Sequence, residues 1–457
     1  MFAGLRSFVD FLEEKGQLVR VGHPLSPALE IPAALASIAR KTGKACRFTS
    51  VVGYNSEVVG GVLGTRERLA MALGVEGDVI EEYYYRRQYV VEPRLVSEGP
   101  VQEVVVEGNL DILKEMPVLT HHELDAGPYL TSAVTVTKDP DTGARAMGIH
   151  RVQVKGPNKV SIFAGSPPVS ECLAKAEARG EPLEIAIVVG LDPLTFLASV
   201  VRAPGTDKFA IAGALARQPI ELVKCRSVSL EVPARAEFVL EGQFIPGVRE
   251  REGPFGESTG YYLTYDNPVA RITTLTHRRA PLYQALMPFG GGEEEVLIGV
   301  TWEGEILRAA QAVLPQVRKV HLRHVGLVAF VQIEKRSDED SSRVFDLLLS
   351  LNPSVKVVVV VDEDVDPYDF RDVEWAIATR CQPDEDISIR ADGVALSIDP
   401  SHKEGGRSSK VCIDATRPFG GPPDRFRKVA IPREAVEKAQ RAVSAALGQR
   451  RSASFRV

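Results

Sequence analysis

Leu5, Phe8, Val9 and Leu12 fall at helical spacing and Gly16 follows as a stop, so the chain opens on an amphipathic helix. Leu18, Val19, Arg20 and Val21 then predict a short strand. A second helix runs from about Ile31 to Lys41, with Pro32 in its first turn, where the missing N–H costs nothing. Up to about Pro117, strands mix with Glu/Tyr-rich helix, which predicts an N-terminal α/β domain over 1–116. From Tyr129 the period shortens. Alternating segments at 131–137, 149–155 and 159–163, divided by Asp-Pro, Gly-Pro and Pro-Pro turns, predict strands. A helix over 169–179 closes at Gly180. A strand at 184–189, a helix at 206–216 and strands at 228–232 and 237–240 complete a β-rich middle domain over 117–306. That spacing suits a barrel or a sandwich. Past Leu307, strands at 325–333 and 355–361 flank a helix at 341–351. The unbroken valines predict a strand covered on both faces, as in a parallel sheet. A terminal helix over 434–447 precedes a polar tail at 450–457 and ends a third, α/β domain over 307–457. The fold class expected is mixed α/β (α+β).

Composition narrows the function classes. At 457 residues the chain forms two or three domains that each bury a core, and 44% hydrophobic with 25% charged residues describes an ordinary globular protein. The net charge of −6 is spread along the chain, with no basic block or aromatic–basic interleaving to bind nucleic acid. The N-terminus carries acids early and lacks a secretory apolar core. The longest Val-rich run, 355–361, contains Lys356 and is strand-sized, so no membrane span is expected. A cytoplasmic protein follows. Cys46, Cys172, Cys225, Cys381 and Cys412 are scattered, odd in number and without CxxC spacing, which predicts buried free thiols.

The stretch with most chemical promise runs from Arg251 to Tyr262. Glu252 and Glu257 flank Gly253-Pro254-Phe255-Gly256, a segment suited to a tight turn. Folding there brings two acids toward one pocket. In a poorly solvated site they cannot both ionise cheaply, so one becomes a proton donor beside a fixed negative charge. The blander reading is an exposed turn with solvated glutamates. Gly256-Glu257-Ser258-Thr259-Gly260 matches GxSxG, but strand-like Tyr261-Tyr262-Leu263 follows where a nucleophile elbow needs a helix. Gly290-Gly291-Gly292 lacks the lysine and helix context of a phosphate loop. His121 and His122 are adjacent and cannot both address one site from a regular strand. His277 reads as core or surface, and His321 and His324 flank a basic patch without further ligands. The acids between Asp362 and Asp366, at a strand's carboxyl end, suit a loop better than a metal site.

Taken together, the chain resembles the UbiD family of decarboxylases. The likeness covers nearly its whole length, in collinear order: 5–21; Pro117-Val118-Leu119-Thr120-His121-His122 with Gly127-Pro128-Tyr129; Gly148-Ile149-His150-Arg151; and Glu221-Leu222-Val223-Lys224-Cys225. It continues through Val232-Pro233, Leu240-Glu241-Gly242, Glu252-Gly253-Pro254-Phe255-Gly256-Glu257 with Thr259-Gly260-Tyr261, Trp375-Ala376-Ile377-Ala378-Thr379-Arg380, and Ile413-Asp414-Ala415-Thr416. The resemblance implies a central split β-barrel of flavin-reductase type, a C-terminal domain that caps the site, and homodimers or larger assemblies. It implies prenylated FMN, delivered by a flavin prenyltransferase, and a small carboxylic acid substrate. Arg151, Glu252 and Glu257 match the family's catalytic arginine and two acids, with Glu257 as proton donor. Implied cofactor contacts are Ile149, His150 and Arg151, Phe163 and Ala164, and Lys208.

The departures from the pattern bear on the cofactor's phosphate. The family holds it through a divalent metal, Mn, with K+ nearby, on an Asn, a His and a Glu. Position 146 is Ala146, no histidine occurs over 163–170, and the Glu position falls on Lys208, or on Asp207 if the alignment slips by one. Lys208 could neutralise phosphate directly; Asp207 is the one metal candidate. Within the family, Ile149-His150-Arg151 and the run from Met287 to Glu294 look similar to archaeal anhydromevalonate phosphate decarboxylases, which act in isoprenoid synthesis. The competing reading is a non-catalytic or partner-dependent subunit that has lost metal and cofactor binding.

Overall fold

The opening stripe forms the helix Leu5–Glu14, with Leu5, Phe8, Val9 and Leu12 fully buried. The computed structural model describes residues 2–421 and 424–446. The strand Leu18–Val21 and the helix Glu30–Thr42 follow, the latter ending at Gly43 with a left-handed φ of 65°. A four-stranded sheet runs in the order Leu18–Val21, Ala45–Phe48, Glu57–Gly60, Leu282–Ala285. Its last strand comes from far along the chain and pairs in parallel with Glu57–Gly60.

The middle of the chain builds a nine-stranded sheet around one long antiparallel hairpin, Phe238–Gly256 and Tyr262–His277. Beside the first arm lie Leu183–Val189, Val134–Lys138 and Arg145–Ile149; beside the second lie Lys159–Ile162, Val152–Val154 and Tyr129–Leu130, with Val104–Glu107 also paired there. Side chains alternate between two cores. Ile185, Ile187 and Val189 pack with Phe238 and Leu240, whereas Ala186 and Val188 pack with Val134, Val136 and Val239. Both faces are therefore covered. The terminal strands Tyr129–Leu130 and Arg145–Ile149 do not pair with each other, so hydrogen bonding among the described residues closes no barrel.

The third layer is a five-stranded sheet ordered Val317–Arg323, Val328–Ile333, Val357–Asp362, Arg407–Ala415, Ile387–Val394. Val357–Asp362 runs parallel to both neighbours. Val358 and Val360 meet the helix Asp340–Leu351 on one face; Val359 and Val361 meet the helix Phe370–Arg380 on the other. The valine run is thus a strand buried on both sides.

Three expectations need correction. The predicted strand over 149–155 is broken at His150 and Arg151, where the chain crosses from the partner Val134–Lys138 to the partners Tyr129–Leu130 and Lys159–Ile162. The predicted tight turn at Gly253–Gly256 is instead a bulged end of the long strand: register slips between Glu252 and Phe255, and the reversal lies at Glu257–Tyr261. Gly290–Gly292 does have helix context, since Gly292 caps the helix Glu293–Val313. Cys46, Cys172 and Cys412 are buried free thiols, while Cys225 and Cys381 are half-buried. The terminal helix spans Arg433–Ala446; Leu447 and the tail over 450–457 lie outside the described residues. Among the described residues no helix is long and apolar enough to cross a membrane.

Candidate active site

The break at His150 and Arg151 puts an arginine against the bulged end of the hairpin. Arg151 Nε donates to Glu252 Oε1 at 3.1 Å and Nη2 to Oε2 at 2.7 Å, a bidentate pair. Its Nη1 contacts Glu257 Oε1. One guanidinium therefore bridges both acids that the sequence singled out. Glu252 is fully buried and takes a further hydrogen bond from Asn267 Nδ2 at 2.9 Å. Glu257 keeps 7% exposure, at the start of the reversal, where its N–H bonds Tyr261 O at 2.9 Å. The rings of Phe163, Phe255 and Tyr265 lie 4.4, 4.9 and 5.5 Å from the guanidinium carbon. Such a wall lowers the local dielectric and strengthens the ionic contacts.

The bulge explains how one strand presents both acids. Strict alternation would set Glu252 and Glu257 on opposite faces. The slip at Gly253 and Pro254 restores them to one side. Gly253 has φ 101°, and a Cβ there would meet Leu263 O at 2.6 Å, so this position demands glycine.

A second loop braces the reversal. Asp125 accepts from the amides of His121 and His122 at 3.0 and 2.8 Å with one oxygen, and from Gly256 N–H at 2.8 Å with the other. Burial opposes its ionisation, but the His122 side chain and the amides hold the carboxyl below its ordinary value. His121 and His122 both reach this segment, contrary to the argument from a regular strand, because the loop that carries them is not one: His121 stands edge-on to Phe255 at 6.3 Å and His122 to Tyr262 at 6.3 Å. Burial pushes His121 down to about 3. Ser258, the serine of the GxSxG match, sits in the reversal and donates to Glu294 at 2.6 Å. Burial raises Glu294 to about 8 despite that bond. Tyr129, packed 4.3 Å from Phe255, is held above its usual range by burial and by the charge of Glu252. The C-terminal layer touches the same hairpin, through Thr259 Oγ1 to Ile398 O at 3.0 Å and Tyr265 hydroxyl to Ser397 O at 3.3 Å.

Asn267, Tyr265, Tyr129 and Asp125 were not legible as site residues. Asn267 and Tyr265 become neighbours of Glu252 only through the hairpin register, which pairs Glu252 with Tyr265 and Glu250 with Asn267. Asp125 shows its part only in the folded loop, where its carboxylate accepts from amides three and four residues upstream, a pattern the downstream Asx turn does not predict.

Three profiles of 3-octaprenyl-4-hydroxybenzoate carboxy-lyase match in chain order: the N-terminal domain over residues 9–85, the Rift-related domain over 94–291 and the C-terminal domain over 295–415. The chain belongs to the UbiD family. Anhydromevalonate phosphate decarboxylase of Methanothermobacter thermautotrophicus is 38% identical over 379 residues, which cover 82% of this chain and 88% of that protein. The UbiD-class enzyme HmfF from Pelotomaculum thermopropionicum, solved in complex with FMN, superposes with a TM-score of 0.91 at 40% identity, covering 96% of this chain and 99% of that one. An evolved dimeric form of HmfF in complex with prFMN gives 0.86 at 39% identity, over 96% and 98%.

The residues expected to stand at the family's metal positions are otherwise engaged or apolar. Ala146 is a buried core residue. Asp207, the metal candidate, is committed elsewhere: Arg145 Nε donates to it at 2.8 Å and Nη2 at 2.5 Å, and its other oxygen caps the helix Lys208–Ala216 through Phe209 N–H. Among the described residues no group of three His, Cys, Asp or Glu could hold a metal ion. The donors present are of another kind. Lys208 is 8% exposed and gives one hydrogen bond, to Ser199 O at 2.8 Å, and burial draws its ammonium down to about 8. His150 Nε2 lies 3.5 Å from Ser166 Oγ, its Nδ1 is buried without a partner, and burial with the charge of Lys208 pushes the ring down to about 4. A Cβ on Gly148 would fall 2.7 Å from that ring, so the glycine makes room for it. This set fits a phosphate monoester and does not fit a divalent cation. Of the remaining expected cofactor contacts, Phe163 stacks on Arg151, Ala164 is buried in the core beside it, and Ile149 packs half-buried on the opposite core.

Proposed function

We propose that this chain decarboxylates an α,β-unsaturated or aromatic carboxylic acid, with prenylated FMN as bound electron sink and anhydromevalonate phosphate as the leading substrate. The observation that carries the reading is the Arg151 guanidinium held between Glu252 and Glu257 inside a ring-lined site. A subunit that had lost catalysis would have no reason to keep a buried cation poised between two acids.

Prenylated FMN, when bound, supplies the sink for the electron pair left behind as the C–CO2 bond breaks. The chain's residues do the rest. Glu252 and Asn267 fix the Nε/Nη2 edge of Arg151, which leaves Nη1, on the Glu257 side, to turn to a substrate carboxylate. That exchange frees Glu257 from the guanidinium, and without its cationic partner the carboxylate takes up a proton from solvent through its small exposed edge. Glu257 then gives that proton to the carbon that lost CO2 and is left as carboxylate, ready to pair with Arg151 again once product leaves. Phe163, Phe255 and Tyr265 keep bulk water from the reacting carbon.

The finer architecture belongs to the same proposal. On this reading the nine-stranded sheet is a split barrel of flavin-reductase type, and the domains are those expected over 1–116, 117–306 and 307–457, the last boundary falling within the helix Glu293–Val313. Homodimers or larger homo-oligomers, a cytoplasmic location and a flavin prenyltransferase as cofactor supplier complete it. The test is to co-produce the chain with a flavin prenyltransferase and assay CO2 release from anhydromevalonate phosphate and a panel of aromatic acids in D2O. Turnover should place one deuterium on the carbon that lost CO2. Flavin-loaded protein that releases no CO2 from any of them overturns the reading.

A further inference from the structure

A buried ammonium is expensive unless an anion or several acceptors compensate it. Lys208 spends one of its three donors on Ser199 O and pairs with no carboxylate among the described residues; the adjacent Asp207 is turned to Arg145. His150, close enough for its ring to feel the Lys208 charge, is 5% exposed and carries a buried, unpartnered Nδ1, with Ser166 Oγ 3.5 Å from the other ring nitrogen. Two buried groups with donor capacity to spare therefore stand together, beside a hydroxyl. A phosphate monoester matches them: it brings two negative charges and three acceptor oxygens. His150 directly precedes Arg151, so these donors and the acid pair are carried by one backbone segment.

We propose that Lys208, His150 and Ser166 form a metal-free seat for the phosphate of the flavin, so that this protein takes up FMN without a divalent cation. The proposal rests on the flavin reading above. It is tested on the full chain stripped of metal, by titrating FMN and riboflavin with and without Mn2+ and following flavin fluorescence. FMN should bind equally well under both conditions, and better than riboflavin by roughly 10- to 100-fold. Lys208→Met should erase that preference without unfolding the chain, and Lys208→Arg should keep most of it. FMN binding that appears only with Mn2+, or a preference unchanged in Lys208→Met, overturns the proposal and leaves the flavin reading standing. A Lys208→Met variant that binds FMN normally but raises KM for a phosphorylated substrate assigns the seat to the substrate, and also overturns it. Folded protein that binds neither flavin, with or without Mn2+, removes the flavin reading and this seat together.

Discussion

Arg151 and Glu252, 101 positions apart in the chain, meet through two parallel hydrogen bonds, from Nε and from Nη2. A lysine cannot reproduce that fork, because its ammonium is a point donor on a flexible stem. Arg151→Lys is therefore expected to cut kcat by roughly 100-fold or more while the melting temperature moves by only a few degrees. Steady-state CO2 release on flavin-loaded protein checks this; a rate within threefold of the parent (about 0.7 kcal/mol) removes the pair from the chemistry.

Glu257 touches Nη1 of the same guanidinium and keeps a small exposed edge. Glu257→Gln retains the shape but has no proton to give. Turnover should fall by roughly 100- to 10,000-fold, with flavin affinity unchanged. Parallel measurement of CO2 release and flavin fluorescence separates the two effects.

Gly253 sits at φ 101° with Leu263 O pressed where a Cβ would go. Gly253→Ala must either strain the bulge or shift the hairpin register. A loss of about 1–3 kcal/mol is expected, together with a kcat defect larger than that loss explains, because Glu252 moves with the bulge. Urea unfolding and kinetics on the same preparation test both parts.

Burial raises the carboxyl of Glu293 from the usual 4.5 to about 7, although the amides of Gly61 and Leu63 donate to it. The folded state thus holds this proton more tightly than the unfolded chain. The resulting stability is present below pH 4.5, declines as pH rises through the window up to about 7, and is absent above it. Wild type should lose on the order of 2–3 kcal/mol between pH 5 and pH 8 through this group, and Glu293→Gln should flatten that slope. Unfolding free energies at the two pH values, compared between the variants, decide it.

Arg380 binds Asp362 at 2.5 Å and Asp364 at 2.8 Å, with Arg380 and Asp362 both buried. The acids that the sequence offered as a loop or a metal site are therefore an ion-pair network, joined by Arg417. Arg380→Ala leaves a buried carboxylate with only the more exposed Arg417. A loss of about 3 kcal/mol is expected by urea unfolding, without change in FMN affinity.

Periodicity made most elements legible. The helix Leu5–Glu14 and the doubly covered strand Val357–Asp362 follow from where apolar side chains recur, since burial of a stripe or a face is a local requirement. Periodicity failed at 149–155, where an alternating pattern runs on across a crossing between two sets of strand partners. It failed again at Gly253–Gly256, where turn chemistry serves a bulge.

The sequence by itself determined most of the helices and strands and the presence of an arginine and two acids of the right type, while the resemblance it carries raised the expectation that Ala146 and Lys208, or Asp207, stand where relatives hold a metal. Only the tertiary structure decided that Arg151 stands between Glu252 and Glu257, that Asn267 and Tyr265 join them, and that His150 lies within reach of the Lys208 charge. The reason is physical. These groups meet through hairpin register and a strand crossing, and a single-residue slip in either would turn the same side chains to the opposite face.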